Sequence, residues 1–297
     1  MKQLIVIAGP TAVGKTTAAI RLAQHLQTEI LSCDSRQFYS ELDIGVARPS
    51  PDELAAVPHH FIANRSVSNP YNIWQYEQEA LATLETLFRS HEKVVMVGGS
   101  GLYIDAVRKG VSFMPDPSPQ LREQIKQLIA TQGLENACRL LHERDPQAYD
   151  SIDIRNPIRV QRALEVIFTS GQPYSSFLRS NQPLQRPFAI TIATLQREPQ
   201  ALRERIFMRV TQMMEQGLLD EVRSLLQMRH LNTLNTVGYK ELFAYIDGSV
   251  SLNEAVSQIQ HNSWRYAKKQ LTWLKRNPDV TYIDADNADQ QLHRLLL

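Results

Sequence analysis

The stretch Leu4-Ile5-Val6-Ile7-Ala8-Gly9-Pro10-Thr11-Ala12-Val13-Gly14-Lys15-Thr16 decides the fold. Residues 4–8 are an apolar, β-branched run with the length of a buried strand. Residues 9–16 fit the pattern G-x-x-x-x-G-K-[ST], and residues 17–26 read as a helix rich in Ala, Ile and Leu. Strand, loop and helix in that register make a phosphate-binding loop, or P-loop. Gly9 and Gly14 let the backbone N–H groups of this diphosphate-binding loop, which also includes Pro10, Thr11, Ala12 and Val13, turn inward around phosphate oxygens, and the helix N-terminus adds partial positive charge. Lys15 supplies a full charge, and the Thr16 hydroxyl can ligate a Mg2+ that bridges phosphates. The chain is therefore expected to bind a di- or triphosphate.

Working outward, further strand-like runs occur at residues 29–32, 93–97, 188–195 and 280–283, with segments of helical periodicity between them. That alternation predicts an α/β fold: a P-loop parallel-sheet core flanked by helices. Residues 113–186 break the alternation. Ser118 can cap a helix with Pro119 at its first position, and Leu134, Ala137, Cys138 and Leu141 then share one helical face. Asn156-Pro157 starts another helix, with Val160, Ala163, Leu164 and Ile167 as its buried stripe and Gly171 past its end. The expected organisation is an α/β core of residues 1–112 and 187–297 with an all-helical insertion domain, 113–186.

Composition narrows the class. The chain has 297 residues, 43% hydrophobic and 21% charged, with 32 Lys plus Arg against 31 Asp plus Glu. These values exclude a disordered or fibrous chain, and a net charge of +1 argues against a binder of bulk nucleic acid while leaving room for a local RNA-gripping patch. Cys33 and Cys138 have no metal-ligand spacing and cannot staple a fold of this size, so a reduced, cytoplasmic setting is expected. No apolar run is long enough for a signal-peptide core or a membrane span, and no segment suggests dimerisation, so the expectation is a monomer without a membrane partner.

A nucleotide hydrolase places an Asp at the end of a second apolar strand to hold Mg2+ and position water. Here residues 93–97 run into Gly98-Gly99-Ser100-Gly101, without a carboxylate. The acid appears instead in Ser32-Cys33-Asp34-Ser35-Arg36-Gln37. Strand C-termini line the ligand crevice in such sheets, so Asp34 is placed to act as a general base facing the phosphate loop. A turn or helix-cap Asp is the equally open alternative.

Toward the C-terminus, residues 261–276 carry Arg265, Lys268, Lys269, Lys275 and Arg276 without an acid, interleaved with Trp264, Tyr266 and Trp273. Arg155, Arg159 and Arg162, spaced i, i+4, i+7, are expected on one helical face. Cations with aromatics suit RNA, although on composition alone a solvated helix with its aromatics in the core is the more ordinary reading.

The chain resembles the tRNA dimethylallyltransferase, or tRNA isopentenyltransferase, family. The resemblance is carried by residues 9–16, by Ser32-Cys33-Asp34-Ser35-Arg36-Gln37-Phe38-Tyr39, by Leu42-Asp43-Ile44-Gly45-Val46-Ala47, by Pro58-His59-His60 and by Val97-Gly98-Gly99-Ser100-Gly101-Leu102-Tyr103. It continues through residues 156–166, Thr236-Val237-Gly238-Tyr239-Lys240-Glu241 and residues 268–275, in family order over nearly the whole chain. Val13 and Ser100 depart from the residues the family often has, Ser and Thr.

The resemblance implies transfer of a dimethylallyl group from dimethylallyl diphosphate to N6 of the adenosine 3′ of the anticodon, tRNA position 37. Asp34 would be the base, Thr11 and Arg209 would act at the reacting centre and the leaving diphosphate, and Thr16 would hold Mg2+. The tRNA anticodon stem-loop would meet Asp34, Ser35, Arg36, Gln37 and Ser100 at the flipped base. It would also meet Arg122, Ile158, Arg159, Val160, Gln161 and Arg162 on the insertion, and Gly238, Tyr239, Lys240, Lys268, Lys269, Gln270 and Lys275 toward the C-terminus.

The alternative is a P-loop small-molecule kinase using ATP, with Asp34 activating a hydroxyl; a third is a nucleotide-gated RNA-binding module. Cys138 reads as a small core residue, Cys33 as pointing away from the Asp34 side, and His59-His60 as loop. Asn72 is expected to cap a helix with Gln75 in the reciprocal position.

Overall fold

A strand covered on both faces is apolar throughout, and Leu4, Ile5, Val6 and Ile7 are all buried. Each such side chain contributes about 1.5–3 kcal/mol on leaving water. The computed structural model describes residues 1–69, 71–178 and 185–292. Its strands are β1 (Gln3–Ala8), β2 (Ile30–Ser32), β3 (His59–His60), β4 (Lys93–Gly98), β5 (Ala189–Gln196) and β6 (Val280–Asp284). All pair in parallel, in the order β3-β2-β4-β1-β5-β6. The helices are α1 (Lys15–Leu26), α2 (Pro51–Ala56), α3 (Ile73–Leu87), α4 (Gly101–Lys109), α5 (Pro119–Arg144) and α6 (Pro146–Ser151). They continue with α7 (Pro157–Ser170), α8 (Pro199–Glu215), α9 (Leu218–Ser224), α10 (Tyr239–Ile246), α11 (Leu252–Lys275) and α12 (Ala288–Leu292).

Two compact units result, Met1–Lys109 with Gln185–Leu297, and Gly110–Leu184. In the first, alternate residues of β1 face opposite layers. Leu4, Val6 and Ala8 pack with Tyr76, Ala80 and Leu84 of α3 and Ile104 of α4. Ile5 and Ile7 pack with Ala19, Leu22 and Ala23 of α1 and with Leu202 and Ile206 of α8. A further cluster joins Leu42 to Val210, Leu218, Val222, Tyr239, Leu242 and Ile259 and ties α8–α11 together.

His59 and His60, expected in a loop, form β3 instead. Ile30 N–H donates to the Pro58 carbonyl at 3.0 Å, and Ile30 and Leu31 then pair with the two histidines. A two-residue edge strand has no apolar run for a sequence reading to detect. α1 also begins at Lys15, two residues before the expected start, because the glycine turn places the loop's last residues in the first helical turn. Asn72 caps α3 as expected, its side chain accepting from Gln75 N–H while Gln75 answers to Asn72 N–H.

In the second unit, Ser118 Oγ accepts from Leu121 N–H to start α5, and Gly133, at φ 83°, kinks it. Ala137 and Leu141 are buried there, with Leu134 and Cys138 packed beside them. Asn156 caps α7 by accepting from Ile158 N–H, and Gly171, at φ 71°, ends it. Arg155 precedes that cap, so it lies off the helix and does not share a helical face with Arg159 and Arg162. Val160 is fully buried in this unit's core and has no side-chain surface to offer tRNA.

Candidate functional site: a phosphate loop facing a carboxylate

The loop after β1 needs Gly9 at φ 149°, where an added Cβ would sit 3.1 Å from Val13 Cγ1 and 3.3 Å from the Leu195 carbonyl oxygen. The Lys15 ammonium folds back to donate to the Pro10 carbonyl at 2.7 Å. Burial pushes its pKa down to about 8; Asp34 opposes that shift and Arg209 adds to it. Gln270 on α11 braces the loop. Its Oε1 accepts from Thr11 N–H and its Nε2 donates to the Gly99 carbonyl, both at 2.9 Å. A Cβ at residue 99 would fall 2.0 Å from Gln270 Nε2, so a side chain there would displace the Gln270 amide.

Asp34 follows β2. Its Oδ1 accepts from Arg36 N–H at 3.0 Å and its own N–H donates to Ser32 Oγ at 3.3 Å, so the turn role left open by the sequence is realised. The same residue lines the cavity that holds Thr11, Lys15, Thr16 and Arg209. Arg209 comes from α8, and its Nη1 reaches Thr11 Oγ1 at 3.4 Å. Burial lowers the Arg209 pKa and Asp34 raises it. One cavity of about 380 Å³ thus joins the phosphate loop, a carboxylate and a guanidinium. Cys33 is buried beside Asp34, and burial raises its thiol pKa, leaving it protonated.

Ser35, Arg36 and Gln37 line the same cavity. Arg36 Nη1 donates to the Thr233 carbonyl at 2.8 Å, and Gln37 Nε2 donates to the carbonyls of Ala47 and Val46 at 2.9 and 3.3 Å. Gly238 and Lys240 are lining residues as well. Ser100 is buried and accepts from Ser35 N–H at 3.4 Å. Lys268, Lys269 and Lys275 are exposed along α11.

Two expected contacts are displaced. Tyr239 is fully buried and donates to Glu221 at 2.5 Å, so its side chain cannot touch tRNA. Gln270 is also buried, and its amide is engaged by Thr11 and Gly99 rather than presented to RNA. Within the helical unit, Arg122, Ile158 and Arg159 are exposed, while Arg162 and Arg122 lie 3.5 and 3.8 Å from the buried Glu165 carboxylate. Gln161 Nε2 donates to the same carboxylate at 2.8 Å. Sequence reading missed Glu221, Tyr266 as a cavity residue, and the apolar wall of Ile206, Val210, Met213, Leu218 and Ile259. These wall residues look like ordinary core positions in a helical pattern.

Among the described residues no group of three or more His, Cys, Asp or Glu could hold a metal. The Thr16 hydroxyl lines the cavity beside Lys15. A hard oxygen donor of this kind suits Mg2+ when phosphate oxygens and water complete its shell.

The fold and the cavity define a P-loop protein in which a carboxylate and an arginine line the same cavity as the phosphate loop. A family model described as IPP transferase matches residues 37–277, and the chain belongs to that family. It is similar to tRNA dimethylallyltransferase 1 of Bacteroides thetaiotaomicron, 46% identical over 297 residues, covering 100% of this chain and 96% of that protein. The tRNA dimethylallyltransferase of Christiangramia forsetii is 42% identical, covering 97% and 95%. Among solved structures, the full-length tRNA isopentenylpyrophosphate transferase of Bacillus halodurans superposes with a TM-score of 0.73 at 32% identity, covering 100% of this chain and 96% of that one. No described helix is long and apolar enough to cross a membrane.

Proposed function

We propose that the chain, acting as a monomer, transfers the dimethylallyl group of dimethylallyl diphosphate to N6 of the adenosine 3′ of the anticodon in tRNA. The observation that carries this reading is the shared lining of Asp34, Lys15, Thr16 and Arg209 in one cavity, in a member of the IPP transferase family. The names of its similar relatives support the same chemistry.

In the reaction, a bond forms between N6 and C1 of the donor, and the C1–O bond breaks. Its electron pair leaves with the diphosphate, and a proton leaves N6. An adenine amino group is a weak nucleophile because its lone pair is delocalised into the ring. Asp34, accepting the N6–H bond, raises electron density on nitrogen and takes the proton. Lys15, Arg209 and the loop N–H groups face the charge that builds on the leaving oxygens. Thr11, held between Gln270 and Arg209, sits next to that charge. Thr16 would hold Mg2+, and such an ion, when bound, neutralises diphosphate oxygens. Ser35 and Gln37 read the extruded base, and exposed cations including Arg159, Lys268 and Lys275 hold the flanking backbone.

Family membership weighs against the kinase reading. The test is incubation with an unmodified tRNA transcript and labelled dimethylallyl diphosphate, beside an arm with labelled ATP. Label from the first arm should appear in the tRNA, on the adenosine next to the anticodon after nucleoside digestion. Label transferred from ATP, with none from the prenyl donor, overturns the proposal.

A further inference from the structure

Glu221 stands outside every motif discussed so far, yet it is the most heavily bonded carboxylate near the cavity. From α9 it accepts the N–H groups of three successive residues: Asp43 at 3.2 Å and Ile44 at 2.7 Å on Oε2, and Gly45 at 3.1 Å on Oε1. The Tyr239 hydroxyl donates to the same Oε1 at 2.5 Å. Tyr239 is fully buried, and burial with the neighbouring carboxylate raises its pKa, so it remains a donor. Gly45 fits because a Cβ there would lie 2.6 Å from the Tyr239 ring.

The anchored segment is not an ordinary surface loop. It is the single turn Ile44–Val46, and the carbonyls at its far end, of Val46 and Ala47, take both N–H groups of Gln37. With Nε2 donating to both carbonyls, the Gln37 amide has one orientation, and its Oε1 accepts from Ser32 Oγ at 3.4 Å, which leaves the oxygen one further lone pair. Reverse the amide and two carbonyls would face an oxygen. A fixed acceptor discriminates donors from acceptors on a base edge; an amide free to flip does not.

We infer that Glu221, with Tyr239, is a positioning residue that sets the amide orientation of Gln37 and so the reading of the target base. The inference rests on the base-reading role proposed above for Gln37. Glu221 itself does not line the cavity. Its effect is relayed by the turn it caps.

The test is a double-mutant cycle with steady-state kinetics on tRNA and on dimethylallyl diphosphate. Glu221→Gln keeps size but loses acceptor capacity, and should raise KM for tRNA about tenfold, the loss of roughly one hydrogen bond's discrimination. KM for the donor should hold. Gln37→Ala should raise KM for tRNA similarly, and adding Glu221→Gln to it should change little further, because one acts through the other. A merely structural role would instead raise KM for both substrates and add to the Gln37→Ala effect, and that result overturns the inference. If Gln37→Ala leaves KM for tRNA unchanged, the base-reading role fails and the inference falls with it. Tyr239→Phe, which deletes a single hydroxyl, provides the same cycle if Glu221→Gln does not fold; its additivity with Gln37→Ala would be equally contradictory.

Discussion

Arg209, on α8, meets the hydroxyl of Thr11 at 3.4 Å, and so a helix that follows the fifth strand completes a loop that follows the first. In the proposed reaction the guanidinium faces the charge that builds on the departing diphosphate. Arg209→Ala should therefore cut single-turnover rate by about 10²-fold or more, the usual worth of one preorganised donor to a developing anion. Affinity for tRNA alone should be unchanged. Rapid-quench measurement under donor saturation checks this, and an unaltered rate would remove Arg209 from the reacting centre.

Lys15 supplies a pH signature. Burial holds its pKa down to about 8, so the empty protein loses this charge as pH rises through that value. Diphosphate binding favours the charged form and must raise the pKa, so binding near pH 8–9 should take up a proton. The apparent donor affinity should fall above pH about 8, visible as buffer-dependent binding heats. The stability of the empty protein has the opposite sign. Between about 8 and the unfolded value of 10.5 the unfolded chain holds the proton and the folded one does not, so Lys15's contribution to stability increases with pH there.

Gly99 sets a steric condition. An added Cβ would meet Gln270 Nε2 at 2.0 Å and the Gly9 carbonyl at 3.0 Å. Gly99→Ala should cost about 1–3 kcal/mol in urea unfolding, as overpacking does, and raise donor KM by releasing Gln270 from Thr11. Wild-type donor KM in this variant would show that the brace is dispensable.

Much of this arrangement was legible beforehand, and the physical reasons differ by residue. The loop of residues 9–16 is readable because each position meets a local demand: turn, charge or hydroxyl. Strands β1 and β4 announce themselves because both faces are buried. Asp34 was placed by a topological rule about strand ends. The two-residue β3 carries too little periodicity to be seen. The resemblance implies tRNA contacts for Tyr239 and Gln270, whose polar ends bind residues far away in sequence, Glu221 for one and Thr11 and Gly99 for the other. Such long-range pairing leaves no local pattern, which is also why Glu221 escaped notice.

In the helical unit, Arg159 and Arg162 should behave differently. Arg159 is exposed, whereas Arg162 lies 3.5 Å from the buried carboxylate of Glu165 and 3.6 Å from Asp116. Arg159→Ala should lower the salt slope of tRNA binding by about one without changing thermal stability. Arg162→Ala should also lower the thermal midpoint, because Glu165 loses a partner. A salt series on both variants beside thermal melts separates the two; identical behaviour would contradict the assignment.

The most direct measurement concerns Asp34. Single-turnover transfer from dimethylallyl diphosphate by Asp34→Asn, with the tRNA Kd measured on the same preparation, isolates the carboxylate's chemistry from its turn-forming role, since asparagine also accepts the Arg36 N–H bond. A fall of roughly two to four orders of magnitude in rate at nearly unchanged Kd is expected for a general base. A near-normal rate once tRNA is saturating, with Kd much weakened, would make Asp34 a recognition residue and contradict the mechanism.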